Sequence, residues 1–315
     1  MGRKNIFDIM NEKNDVDYQI KKIDDLLSEM SVDDGTLEDI IDEYCIKSWK
    51  ARGRYTSCEE IRNKLQITDF FIKNGLKGNK ILLYLEYVSN LIWLCNERFI
   101  EKQSDYDDEY EYLQENVLGL IEDLGYEAKV FEDEEKVLLV EKNAAATAVA
   151  EIMEPLISCK VIEYNHFLLE GNIEEKRNIL LALADKFEPI RPELKKINSN
   201  LEKNIGYLLN KMNIRHNNKD GKMASGYVAN LSSEELEKWY DETYQILLLA
   251  FLEKENIERN KKIDELKKKI EGWYFTFCID KKNLIMIDII VDAEVSAIII
   301  KTEKVNNLKQ YDYFE

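Results

Sequence analysis

The run Asn213-Ile214-Arg215-His216-Asn217-Asn218 concentrates side chains able to work on a sugar-phosphate. Histidine exchanges a proton near neutral pH, which suits removal of a 2′-hydroxyl proton. Arginine stabilises charge gathering on a phosphate. Asn217 and Asn218 offer donors and acceptors to a sugar or a base edge. Such a set would need no metal and no cofactor. His216 is one of two histidines in the chain; the other, His166, lies fifty residues upstream and shares a predicted helix face with Glu163. It joins the candidate set if its helix packs beside the run. A simpler expectation competes: a guanidinium that bonds helix-end carbonyls and an imidazole satisfied by a neighbour.

Two patterned helices must position this run. Before it, Leu194, Ile197, Leu201, Ile205, Leu208 and Met212 recur at steps of three and four. After it, Ser232 and Glu235 form a capping box, with Leu231 and Leu236 as the apolar staple. The stripe then continues through Trp239, Tyr240, Tyr244, Leu247, Leu248 and Phe251. Eighteen residues, Asn213 to Asn230, join the two helices. Upstream, Ile179, Leu180, Leu183, Ala184 and Phe187 mark a helix that Pro189 and Pro192 are expected to end.

The rest of the chain reads as helices with two β excursions. Residues 15–30 carry an apolar stripe, Thr36 with Asp39 caps a second helix, and Ser57 with Glu60 forms a capping box. Residues 80–100 are apolar nearly all round, which predicts a helix buried on most sides. Gly125 stops a further helix. The period then changes: Ala128–Val130 and Val137–Val140 flank Asp133-Glu134-Glu135 and predict a hairpin over 126–141. Residues 273–279, 284–291 and 295–300 predict a terminal β-meander. The expected fold is mainly α: helical bundles with one small hairpin and one short meander. The expected domains are 1–125, 126–271 and 272–315.

Charge narrows the function classes. Net charge is −18 and 34% of residues are charged. Such a chain repels phosphate at long range, so duplex DNA is not an expected partner. The stretch from Glu193 to Lys222 is the exception, with seven Lys or Arg against three acids. A local basic patch of this kind suits RNA or a nucleotide. Lys47 to Tyr55, KSWKARGRY, interleaves four cations with two rings, the composition of a single-strand contact. Its simpler reading is a basic loop whose Trp49 packs in the core. Five cysteines without a CxxC pair argue against zinc and against a disulfide framework. The polar N-terminus and the lack of an 18-residue apolar run predict a cytoplasmic protein with no membrane contact.

Residues 141–258, with YNHFLLEGNIEEK, ILLALADKFEP, LLNKMNIRHNN and LEKWYDETY, resemble the C-terminal helical region of bacterial abortive-infection-type proteins. That region is similar to the HEPN superfamily of small helical bundles. The resemblance implies a homodimer and a metal-independent endoribonuclease acting in phage defence on RNA. It makes Arg215 the motif arginine and His216 the polar residue after it. Asn217, Asn218 and His166 remain candidate substrate contacts on their own chemistry. The family motif closes on a second histidine, and none follows His216 here. The resemblance therefore also admits a non-catalytic bundle that binds a nucleotide or a partner defence protein.

Overall fold

The computed structural model describes residues 16–29, 35–99, 108–216, 230–270, 285–292 and 297–304. Two compact units are present, residues 1–252 and 253–315.

The first unit opens with α1, Val16–Glu29, followed by α2, Leu37–Ile40. One π turn and two 3-10 turns then carry the chain to Arg52. Helices α3, Cys58–Leu65, and α4, Asp69–Lys73, lead to α5, Asn79–Phe99, the central helix of this region. Its Tyr84, Leu85, Val88, Leu91 and Leu94 are fully buried, as expected for a helix apolar nearly all round. Helix α6, Asp108–Asp123, completes a first hydrophobic core with α1 to α5.

Local capping chemistry sets several helix starts. The Thr36 hydroxyl accepts the Asp39 amide, and the Asp39 carboxylate accepts both the amide and the hydroxyl of Thr36. Ser232 and Glu235 make the same reciprocal pair. At Ser57 the box is shifted by one residue: Glu60 reaches Thr56 instead of the cap. The amides of Thr36, Thr56 and Ser232 thus hold the carboxyls of Asp39, Glu60 and Glu235 below the usual carboxylate range. A depressed folded-state pKa adds stability that is present above the unfolded value, near 4, and lost as pH falls through the lower folded value. Melting temperatures recorded from pH 6 to pH 3 should therefore fall more steeply for wild type than for the Asp39→Asn, Glu60→Gln, Glu235→Gln triple variant. Parallel slopes would show that the caps carry no such linkage.

The hairpin appears where the period changes. Strand β1, Tyr126–Phe131, pairs antiparallel with β2, Lys136–Glu141. Its alternation splits two ways. Tyr126, Ala128 and Leu139 pack on the first core, while Phe131, Leu138 and Val140 pack with Ile162 and Cys159. Glu135 takes a left-handed conformation at the tip, φ 53°.

A second core is built from α7, Ala144–Ile152; α8, Pro155–Glu163; α9, Ile173–Ile197; α10, Ser199–Lys211; and the first turns of α11, Ser233–Ile270. The expected break at Pro189 and Pro192 does not occur: α9 runs through both prolines. A proline inside a helix costs about 3 kcal/mol, and here tertiary contacts offset it. Phe187 and Leu194 are buried on either side of the pair. Arg191, between the prolines, bonds Glu202 of α10 at 2.5 Å.

The boundary between the units falls within α11. In the second unit its helical surface is laced with short-range ion pairs such as Lys254–Glu258 and Arg259–Glu255. Strands β3, Ile285–Asp292, and β4, Ala297–Lys304, form an antiparallel hairpin, two strands of the expected meander. The segment 273–279, its expected first strand, lies outside the described residues.

Candidate functional site

The end of α10 is closed by Asn213 in a left-handed conformation, φ 60°, and by the Arg215 amide donating to the Leu209 carbonyl at 3.0 Å. Buried Ile214 anchors the turn. The Asn213 carbonyl accepts Arg177 Nε at 2.7 Å and the Tyr240 hydroxyl at 3.4 Å, so α9 and α11 both hold this junction. The two patterned helices do flank a constrained turn.

Within it, Arg215 faces inward. Its guanidinium donates to the Ala184 carbonyl at 3.2 Å and pairs with Glu188 at 2.6 Å, both on α9. That is the structural use of an arginine, fastening one helix end to the next. His216 is exposed. Asn217 and Asn218 lie outside the described residues.

His166 is placed elsewhere. Its ring Nε2 lies 2.7 Å from Glu86 of α5, its ring tilts against Phe167 at 4.5 Å, and its backbone bridges to Val140 of β2. The same Glu86 carboxylate accepts the Leu139 amide at 2.8 Å. His166 thus ties the first core to the hairpin. It also lines a cleft of about 680 Å³ to which neither Arg215 nor His216 contributes.

The basic-aromatic run KSWKARGRY is absorbed by the fold. Trp49 is 7% exposed and donates its indole N–H to the Glu135 carbonyl at 2.6 Å. Arg52 bonds the carbonyls of Lys47, Gly53 and Tyr55. Lys50 and Arg98 both reach the Glu135 carboxylate. These residues clamp the hairpin tip.

Part of the basic stretch after Glu193 lines a groove of about 410 Å³ between α9 and α10, while its Lys219 and Lys222 lie outside the described residues. Lys203, Tyr207 and Lys211 are spaced by four and share one face of α10, rising about 6 Å per step. Lys195 of α9 lines the opposite side. None of these three lysines carries a hydrogen bond or ion pair among the described residues, and Tyr207 is 59% exposed. The fourth cation, Arg191, is engaged: Glu202 holds its pKa above the ordinary arginine value and Glu188 adds to the effect. A Cβ at Gly206 would meet Arg191 Nη2 at 2.9 Å, so glycine lets the guanidinium lie across α10. Glu188 joins the two places, since it contacts both Arg191 and Arg215.

The cleft beside His166 is polar and braced. Tyr164 stacks on Tyr244 at 4.0 Å, and the Tyr244 hydroxyl donates to the Val161 carbonyl while accepting Asn165 Nδ2. Lys176 is 7% exposed. Its ammonium lies 2.7 Å from Glu237 and 2.7 Å from Asp241, and 5.3 Å from the centre of the Tyr164 ring. Burial lowers its pKa, but the two carboxylates more than offset that and hold it above the ordinary lysine value. The sequence signal for this cleft was faint, because its lining comes from five separate segments.

Fold and sites together define a mainly α protein with a small antiparallel hairpin, an inward-facing Arg215, a basic groove and an acid-rich cleft. Among the described residues no helix is long and apolar enough to cross a membrane, and no group of three or more His, Cys, Asp or Glu is placed to hold a metal ion. Comparison with known protein families, with curated proteins and with solved structures yields no match.

Proposed function

We propose that this chain is a non-catalytic RNA-binding module that holds single-stranded RNA along the α9–α10 groove. The observation that carries the reading is the row Lys195, Lys203, Tyr207 and Lys211: three ammonium groups without acidic partners among the described residues and one exposed ring, in a chain of net charge −18. Cations track the phosphates and a ring stacks on a base, the usual division of labour for single strands. The acidic remainder repels phosphate, which confines binding to this face. RNA, and a role in phage defence, follow from the resemblance to abortive-infection-type proteins. The engagement of Arg215 by Glu188 and Ala184 favours the non-cleaving form of that resemblance.

Fluorescence anisotropy of the full chain with a labelled twelve-nucleotide oligouridine tests this. Binding is expected at low salt. The Lys195→Gln, Lys203→Gln, Lys211→Gln variant should lower affinity by at least about thirtyfold and reduce the salt slope by about 2, from three lost phosphate contacts. Tyr207→Ala should weaken binding several-fold with the slope unchanged. Wild type that fails to bind at about 50 mM salt, or a triple variant that binds like wild type, removes the reading.

One observation favours a second reading. His216 is exposed beside Arg215, which leaves its imidazole accessible to RNA across a homodimer. A metal-independent endoribonuclease would then cleave the same oligonucleotide and lose that cleavage in both Arg215→Ala and His216→Ala. Intact RNA after prolonged incubation with wild type rejects it.

A further inference from the structure

The acid-rich cleft lies within the first unit, between the open end of the β1–β2 hairpin, the turn at residues 164–170 and the first turns of α11. Its volume, about 680 Å³, is in the range of small-molecule sites. Five carboxylates line it against three ammonium groups. Two of those carboxylates, Glu237 and Asp241, are taken up by Lys176. One of the other lysines, Lys142, is drawn to Glu122, which does not line the cleft. Glu141, Glu170 and Glu234 are exposed and carry no ion pair among the described residues.

Aromatic surface accompanies this charge. Tyr126 meets Phe167 edge-on at 6.4 Å, and Phe167 is backed by His166. Glu141 faces Tyr126 directly across the hairpin, and Glu170 follows three residues after Phe167 in the same lining. Burial raises the Tyr126 phenol pKa, and the carboxylates of Glu141 and Glu170 raise it further. The cleft already displays how it holds a cation: the Lys176 ammonium sits between two carboxylates and over the Tyr164 ring. Tyr126, Glu141 and Glu170 line the same cleft, which puts a second ring and two further carboxylates within it. The walls are preorganised by the His166–Glu86 contact, the Tyr164–Tyr244 stack and the Asn165 bonds, so little ordering is needed on binding.

We propose that this cleft binds an organic cation, a guanidinium or primary ammonium head, against Tyr126 and between the carboxylates of Glu141 and Glu170. A cation over a ring and beside two carboxylates gains from both. A phosphate-bearing ligand would meet the acid excess and be rejected. The head has two sources, a free diamine-type metabolite or an arginine on a partner peptide. The site is independent of the α9–α10 groove, which shares no lining residue with it.

Isothermal titration of the full chain separates these cases. The probes are agmatine, acetyl-Gly-Arg-Gly-amide and the same tripeptide with neutral citrulline in place of arginine. At least one cationic probe should bind, and the citrulline peptide should bind at least about tenfold more weakly than its arginine counterpart. Agmatine binding alone identifies a free cation; tripeptide binding alone identifies a peptide-borne one. Glu141→Gln, Glu170→Gln should lose at least about tenfold while keeping the wild-type melting temperature, because both side chains are exposed. Glu43→Gln, Glu59→Gln, two exposed acids of the first core region, should bind like wild type. The proposal fails if neither cation binds at about 10 mM, if citrulline binds as well as arginine, or if the two double variants behave alike.

Discussion

Arg62→Ala should cost the first unit about 3–5 kcal/mol, the largest loss from any single polar side chain described. Arg62 is 6% exposed. Its guanidinium reaches Asp24 at 2.8 Å, Glu38 at 3.1 Å and Asp69 at 3.2 Å, and its Nε donates to the Ile67 carbonyl. The Tyr84 and Tyr87 hydroxyls bond the same carboxylates. Removing the cation leaves Asp24 buried without its counter-charge. Burial already holds the Asp24 pKa above its ordinary value, and Arg62 is the main influence lowering it. Without Arg62 the folded-state pKa rises further. An acid with a raised folded pKa destabilises the fold above its unfolded value, increasingly as pH climbs through the folded one. The deficit of Arg62→Ala should therefore be largest at neutral pH and shrink toward pH 4. Urea denaturation at several pH values measures it. A deficit under about 1 kcal/mol, or one that does not depend on pH, would show that the network is not what holds α1, α2 and α3 together.

Trp49→Ala should be nearly as costly, about 3–5 kcal/mol, through the loss of a buried indole. Trp49→Phe should cost less, about 1–3 kcal/mol, because it mainly leaves the Glu135 carbonyl without its donor. Neither change should alter RNA affinity at temperatures where the variant is folded. Both results are needed to assign the KSWKARGRY run a structural role. A folded Trp49→Ala protein that binds oligouridine more than about threefold less tightly would put this run in the RNA contact after all.

What was legible in the sequence is what local chemistry decides. Capping at Thr36, Ser57 and Ser232, the buried helix over residues 80–100 and the hairpin at 126–141 all depend on residues within a few positions of each other. The prolines at 189 and 192 misled because the contacts that keep α9 helical come from α10 and from Arg215, outside any local window. The site was partly legible. The Arg215 junction lies between patterned helices as expected, yet its acidic partner Glu188 is 27 residues earlier on a helix that was expected to stop there. The basic excess after Glu193 was visible as composition; the pairing of Arg191 with Glu202 and Glu188, while Lys195, Lys203 and Lys211 have no such partner among the described residues, was not. His166 and Glu86 are 80 residues apart, and no pattern in either neighbourhood links them.

The prolines of α9 also bear on the order of assembly. Each lacks the amide hydrogen that would reach back one turn, so two rungs are missing in the C-terminal half of a 25-residue helix. A stretch that depends on a neighbour for its shape is a poor nucleus, since nucleation rewards segments that close their own backbone bonds. These turns depend on α10 folding back against them, so the α9–α10 hairpin, and with it the lysine row it carries, is expected to be a late arrival in the history of each newly made chain.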